Sequence, residues 1–346
     1  MHSNKVFLIP FKTVDAYTNV STVFIMRKFD INVVGASGLV GRTFLKILEE
    51  ENFPVNNLNL FSGEAGNGKN IYFKKIKYTL RIAKELPKSD FTLLATEPNV
   101  SMQYIKTATL GSVCTIDNSS ACRLKKDVPL IVPEINFRDC LDCRLIANPN
   151  CSTAICAIPL WILDKKYGIK RVRICSYQSV SGSGKKGLES LKRDNGFYRY
   201  DIRKTCIPKI GNFNPDDYTT EEVKLKNELR KILNRKMLPI SATCVRVPIR
   251  KCHALVVSAV LNKNFSITEV KHIFSMNKAL TVYDEPENDI FPVSTIGSNN
   301  NSVFIGRIRK DSAENNSILF YALSDNLRRG AAYNAYKIIE SLTKII

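Results

Sequence analysis

The run Asn148-Pro149-Asn150-Cys151-Ser152-Thr153 stands directly before the apolar stretch from Ala154 to Leu163. This order puts Cys151 at or just before the N-terminus of a helix, with Asn150 or Ser152 available as the cap. A thiol there meets the positive end of the helix dipole and unpaired backbone N–H groups, which favour a thiolate and can hold an oxyanion formed when sulfur attacks a carbonyl. The alternative is a small buried hydrophobe. Thiol chemistry of this kind needs one imidazole to move protons, and the chain holds only three histidines. His2 falls near the start and His272 on an expected surface helix, which leaves His253, after Thr243 to Cys252, as the candidate acid/base.

A second constellation lies further upstream. Residues Asp30 to Val34 are strand-prone and lead into Gly35-Ala36-Ser37-Gly38-Leu39-Val40-Gly41, after which Arg42 to Glu51 reads as an amphipathic helix. Strand, glycine loop and helix together open a dinucleotide fold, with the helix N-terminus facing a pyrophosphate. The spacing is G-x-x-G-x-x-G rather than G-x-G-x-x-G.

The elements that must carry these residues form two groups. Strand candidates at Leu58 to Phe61, Phe91 to Ala95, Val113 to Ile116 and Leu130 to Val132 alternate with helical stretches, as a parallel sheet requires. Candidates at Arg171 to Tyr177, Cys244 to Val247, Ala254 to Leu261 and Val303 to Ile308 lie closer together and suggest an antiparallel or mixed sheet. The fold class expected is α/β: an N-terminal Rossmann-type parallel sheet with a second, α+β, catalytic and dimerisation domain. The boundaries read 26–147 for the first domain and 148–325 for the second, with 326–346 a C-terminal helix returning to the first. Residues 1–25 lack the Arg content of a transit peptide and the cleavage pattern of a signal. They read as a disordered leader or a mis-called start.

Composition limits the remaining function classes. At 346 residues and 44% hydrophobic, the chain is too large for one small core and too apolar for disorder. The 51 Lys and Arg against 32 Asp and Glu give a net charge of +19, but the basic residues are spread along the whole length. That field suits phosphate and carboxylate substrates without implying a specific nucleic-acid partner. Ten cysteines without a secretory leader fit a reducing, cytoplasmic setting. Cys140 and Cys143 form a single C-x-x-C, too little for a zinc site, so no metal is expected. No apolar stretch is long enough to span a bilayer, and no membrane partner is expected.

Several motifs together resemble the aspartate-semialdehyde dehydrogenase family. They are the Cys151 run; Asp117-Asn118-Ser119-Ser120-Ala121-Cys122-Arg123; Val132-Pro133-Glu134-Ile135-Asn136; Ser176 to Gly184; Ala242 to Pro248; Gly306 to Asp311; and Ser324 to Ala332. The resemblance spans nearly everything after Met26. It implies Cys151 as the nucleophile, His253 as acid/base and Gln178 as the residue that orients the substrate. Arg246 would grip the α-carboxylate, Glu221 would face the α-amino group, and Lys224, one helical turn on, would face the phosphate. Arg123 would hold the transferred phosphate with Asn150 nearby. Gly35, Ser37, Gly38, Leu39, Val40 and Ser62 would bind the dinucleotide, Ser181 and Gly182 would approach the nicotinamide, and Asn326 would reach the cofactor from the last helix.

The reaction implied is NADP-dependent reductive dephosphorylation of 4-phospho-L-aspartate to L-aspartate 4-semialdehyde through a cysteine thioester. It belongs to lysine, diaminopimelate, threonine and methionine biosynthesis. Inorganic phosphate would be the co-product and a homodimer the assembly. After the second strand the chain reads Phe61-Ser62-Gly63-Glu64-Ala65-Gly66-Asn67-Gly68-Lys69. Ser62 and Lys69 suit a 2′-phosphate, whereas Glu64 would repel one and suits the plain ribose of NAD, so both cofactors stay open. N-acetyl-γ-glutamyl-phosphate reductase shares the thioester logic, but an N-acetyl group has no use for the Glu221 carboxylate. A degenerate relative that binds nucleic acid through its basic surface would show salt-sensitive binding and no turnover.

Overall fold

The computed structural model describes residues 27–345, and the expected leader lies outside the described residues. The first sheet is built from β1 (Phe29–Val34), β2 (Val55–Phe61), β5 (Ser89–Leu94), β6 (Ser112–Asp117) and β7 (Leu145–Ala147). These pair in the order β2-β1-β5-β6-β7, all parallel. Parallel pairing needs crossovers, and α1 (Leu39–Glu50) and α2 (Pro98–Gly111) supply two of them. Between β2 and β5 sits a hairpin of β3 (Asn70–Phe73) and β4 (Ile76–Thr79). Its turn uses Lys74 and Lys75, both at positive φ (47° and 66°). Sequence reading missed this hairpin because two lysines replace the Asn-Gly pair that usually marks such a turn.

The fifth strand corrects an expectation. Leu130 to Val132 makes only an isolated bridge, Leu130 to Ala147, and β7 takes the edge of the sheet. Pro133 follows at once and opens the short α3 (Pro133–Asn136), so the ladder has no N–H with which to continue.

The second sheet contains β8 (Ile169–Ser179), β9 (Ile240–Val247), β10 (His253–Leu261), β11 (Leu280–Val282), β12 (Val303–Lys310) and β13 (Ser317–Ser324), in the order β11-β12-β13-β10-β8-β9. It is mixed: β8 with β9 and β11 with β12 are parallel, the rest antiparallel. One face is covered by α4 (Cys151–Tyr167), α6 (Thr220–Ile232) and α7 (Ile267–Ser275), whose Ile155, Leu225, Leu229 and Phe274 share one buried core with Ile174, Leu255 and Phe320. The short α5 (Gly184–Glu189) and α8 (Ser294–Gly297) lie in the connections.

Asn326 was expected on the last helix and instead occupies a turn ahead of it. Asp325 accepts from the N–H groups of Leu327 (2.9 Å) and Arg328 (3.2 Å), which starts a π-helical turn at Arg328–Ala332 and then α9 (Tyr333–Thr343). Ala335, Ile338, Ile339 and Leu342 of α9 pack into the first sheet's core beside Ile31, Leu48 and Phe91. Among the described residues no helix is long and apolar enough to cross a membrane, and no group of three or more His, Cys, Asp or Glu is placed to hold a metal.

Candidate active site

Strand register builds one wall of the site. Gln178 stands opposite Arg246 across β8 and β9, His253 opposite Gln178 across β10 and β8, and Ser324 opposite His253 across β13 and β10. The four residues form one row over four adjacent strands. Side chains alternate along a strand, and all four belong to the alternating set that faces the helices. Each is at least 96% buried, Arg246 being the most exposed at 4%.

The helix α4 ends above this row. Asn150 caps it, its Oδ1 accepting from the N–H groups of Ser152 (2.8 Å) and Thr153 (3.4 Å), which makes Cys151 the first helical residue. Ser152, the other expected cap, leaves its hydroxyl buried without a partner. A chain of hydrogen bonds ties the cap to the row: Asn150 Nδ2 donates to Glu221 Oε1 (2.9 Å), and Gln178 Nε2 donates to the same oxygen (3.1 Å). Glu221 itself sits in the first turn of α6, whose start is a capping box between Thr219 and Glu222. Gly330 of the π-helical turn packs against Cys151, where an added Cβ would stand 2.8 Å from that of Cys151. Only a glycine permits this approach.

The surroundings of the thiol act in opposite directions. The helix N-terminus, Arg123 and Arg246 all favour its ionised form, yet burial, reinforced by the Glu221 carboxylate, pushes its pKa up to about 12. Desolvation outweighs the dipole in that balance, although the side chain is only half-buried. His253 is shifted the other way, down to about 3, by burial and then by the Arg246 charge, with a Cys252 backbone contact offsetting only part of this. Its Nδ1 accepts from the Ser179 N–H (3.1 Å), and a backbone amide can only donate, so the ring proton belongs on Nε2. That Nε2 is buried and without a partner. Gly182 lies over it: a Cβ there would come within 3.1 Å of Nε2 and 2.9 Å of Arg246 Nη1.

Two opposite charges are left without counter-charges. Glu221 and Arg246 are 8% and 4% exposed, and among the described residues neither forms an ion pair. Among the described residues the Arg246 guanidinium donates to the Ser179 carbonyl alone (2.7 Å). Lys224 is half-buried and makes no bond to Glu221. Arg123, expected to hold the transferred phosphate, is bonded to Glu228 Oε1 (3.1 Å) and to the carbonyls of Asn148 and Asn118 (2.8 Å each). Glu228 escaped sequence reading, although its place two turns beyond Glu221 puts it on the same helix face.

The dinucleotide loop has the expected shape. Gly35 adopts φ +90°, and a Cβ there would lie 2.2 Å from the Ala95 carbonyl oxygen. Gly38 caps α1 with no side-chain hydrogen bond, so the N–H groups of Leu39 and Val40 keep no side-chain partner. Gly41 could carry no side chain either, since a Cβ would meet Gly35 O at 2.4 Å. Ser37 and Ser62 converge, their hydroxyls each 2.8 Å from the point where a Gly66 side chain would begin. Asn326 Oδ1 is filled from inside, accepting from Ser179 Oγ, Ser181 Oγ and the Cys252 N–H at 3.1 Å each. That leaves only its amide nitrogen for any ligand.

Fold and site together define a two-domain, nicotinamide-dinucleotide-binding oxidoreductase. The semialdehyde dehydrogenase NAD binding domain matches residues 30–142, and the semialdehyde dehydrogenase dimerisation domain matches residues 161–329. An aspartate-semialdehyde dehydrogenase of Aquifex aeolicus is 38% identical over 334 residues, covering 91% of this chain and 98% of that protein. The Bacillus subtilis enzyme is 34% identical, with 92% and 99% covered. The solved structure of aspartate semialdehyde dehydrogenase II from Vibrio cholerae, complexed with ASA, superposes with a TM-score of 0.87 at 31% identity, covering 92% of this chain and 99% of that one. The chain belongs to the aspartate-semialdehyde dehydrogenase family.

Proposed function

We propose that this chain converts 4-phospho-L-aspartate to L-aspartate 4-semialdehyde, releasing inorganic phosphate, with Cys151 as the nucleophile. The observation that carries the substrate is the pair of unmatched buried charges. Burying an unpaired ion is costly, and a carboxylate and a guanidinium flanking Gln178 match the ammonium and carboxylate of one amino acid. An N-acetylated glutamyl substrate would leave Glu221 unanswered, which disfavours that alternative. The basic surface needs no nucleic-acid partner once the site is filled by anions.

As the Cys151 sulfur bonds to the acyl carbon, the carbon–oxygen bond to phosphate breaks, and the departing phosphate carries off the thiol proton to leave a thioester. Substrate ammonium against Glu221 cancels the second cause of the raised thiol pKa, so the substrate assists its own capture. His253 holds its proton at Nε2 and presents it to the carbonyl oxygen of the bound acyl group, and the backbone N–H of Cys151, which the Asn150 cap leaves out, is the second donor. Arg246 and Glu221 fix the amino-acid end, Gln178 orients the reacting end, and Arg123, with Asn150 and Lys224 nearby, receives the phosphate. The bound nicotinamide supplies the hydride that reduces the thioester.

Gly35, Ser37, Gly38, Leu39, Val40 and Ser62 would hold the dinucleotide, with Ser181, Gly182 and the Asn326 amide toward the nicotinamide. NADP is the cofactor we favour over NAD. Ser62 is supported by Arg81, whose guanidinium lies 5.3 Å over the Phe61 ring and whose carbonyl accepts from the Ser62 N–H (3.0 Å). This cation joins Lys69 in offsetting the Glu64 carboxylate. The matched dimerisation domain supports a homodimer. Ten free cysteines support a cytoplasmic setting.

Initial rates with purified protein decide the reading. Phosphate-dependent reduction of NADP by L-aspartate 4-semialdehyde should exceed that of NAD, and Cys151→Ala should abolish both. Ordinary activity in that variant, or preference for N-acetyl-glutamate semialdehyde, would overturn it.

A further inference from the structure

Glu228 lies two turns along α6 from Glu221, with its side chain 1% exposed. Its two oxygens serve two different elements. Oε1 accepts from Arg123 Nη1 (3.1 Å), on the loop after β6, and Oε2 accepts from the backbone N–H of Asn150 (2.7 Å), the residue that caps α4 and precedes Cys151. One turn further, Lys231 donates from Nζ to the carbonyls of Arg123 (2.9 Å), Lys125 (2.7 Å) and Val128 (2.7 Å). A single face of α6 therefore grips the Arg123 loop twice and the thiol's own segment once.

The guanidinium has five N–H donors. Three are taken by Glu228, Asn148 and Asn118, which leaves one on each terminal nitrogen, the pattern that receives two oxygens of one anion. A buried ion pair is seldom retained for stability, since an apolar pair of similar volume does as well or better. Its value here is geometric. We propose that Glu228 is a positioning residue that sets the distance between the phosphate-receiving guanidinium of Arg123 and the Cys151 thiol. This rests on the reading above that Arg123 takes the phosphate.

The carboxylate is required because both of its partners are donors. Glutamine keeps the shape but turns one oxygen into an NH2, so one contact becomes donor against donor. Aspartate keeps the charge but is a methylene too short to span both.

In the oxidative direction phosphate and aldehyde are separate substrates, so their KM values report separate parts of the site. Glu228→Gln should raise the KM for inorganic phosphate about tenfold, the loss of one charged hydrogen bond, with the KM for L-aspartate 4-semialdehyde nearly unchanged. Glu228→Asp should show the same phosphate-selective change to a smaller degree, and it preserves the buried charge should the glutamine variant fold poorly. Arg123→Gln should raise the phosphate KM as well, and adding Glu228→Gln to it should raise that KM no further, because both act through one guanidinium. Equal changes in both KM values for the Glu228 variants would reduce Glu228 to a structural residue and overturn the proposal. A phosphate KM untouched by Arg123→Gln would instead remove the reading of Arg123 on which it rests.

Discussion

At the scale of single residues, the site separates its charges from its reactive atom. Cys151 is surrounded by features that lower a thiol pKa, yet its pKa is raised, because desolvation and Glu221 act more strongly than the helix end and two guanidinium groups. Removing the carboxylate charge should therefore lower the thiol pKa. We expect Glu221→Gln to be alkylated faster by iodoacetamide at pH 8 than the parent, with Cys151 the modified residue by mass spectrometry, while the KM for the amino-acid substrate rises. Slower alkylation in that variant would mean that Glu221 does not act on the sulfur. His253 carries the complementary lesson: the Ser179 N–H on Nδ1 assigns its tautomer, and that bond is visible only when β8 and β10 are in register.

At the scale of elements, three secondary structures converge on one sulfur. The helix α4 carries it, the row across β9, β8, β10 and β13 is tied to that helix's cap through Glu221, and the π-helical turn Arg328–Ala332 packs against Cys151 at Gly330. The turn is anchored to the first domain by Arg328 on Glu50 of α1 and by Arg329 on Glu134 of α3 (2.8 Å). Gly330→Ala should force a Cβ to within 2.8 Å of that of Cys151, and backbone on both sides must shift to admit it. Displacing a nucleophile by about 1 Å costs on the order of a hundredfold in rate. We expect kcat/KM to fall by about that factor while the melting temperature changes by only a few degrees, measured by steady-state rates and thermal unfolding. Rates equal to the parent would mean that the turn does not fix the sulfur's position.

At the scale of the whole molecule, the buried imidazole links the site to stability. The pKa of His253 is about 3 in the folded chain against an ordinary 6.5, so between those values the unfolded chain binds a proton that the folded chain refuses. Its contribution is complete above pH 6.5 and is lost as pH falls through the folded value. Urea unfolding between pH 7 and pH 4 should show stability falling more steeply in the parent than in His253→Gln. Parallel curves would mean that the imidazole accepts its proton without cost, contrary to its burial.

Much of this could be read from sequence, and the limits of that reading are physical. The glycine loop, the helix after Asn150, most strands of both sheets and the candidate roles of Cys151, His253, Gln178, Arg246 and Glu221 are local signals of turn chemistry, periodicity and motif. The short edge strand β7, the Lys74-Lys75 hairpin and the π-helical turn carry no such signal, because pairing partners and neighbouring domains decide them. The same holds for energies. Sequence determined that a thiol would stand at a helix N-terminus with one imidazole to serve it. Only the tertiary structure decided that desolvation raises the thiol pKa, that the imidazole's proton is on Nε2, that two opposite charges wait unpaired beside them, and that Glu228 joins Arg123 to the thiol's segment. Those properties depend on desolvation and on contacts between residues far apart in the chain, which neither composition nor spacing encodes.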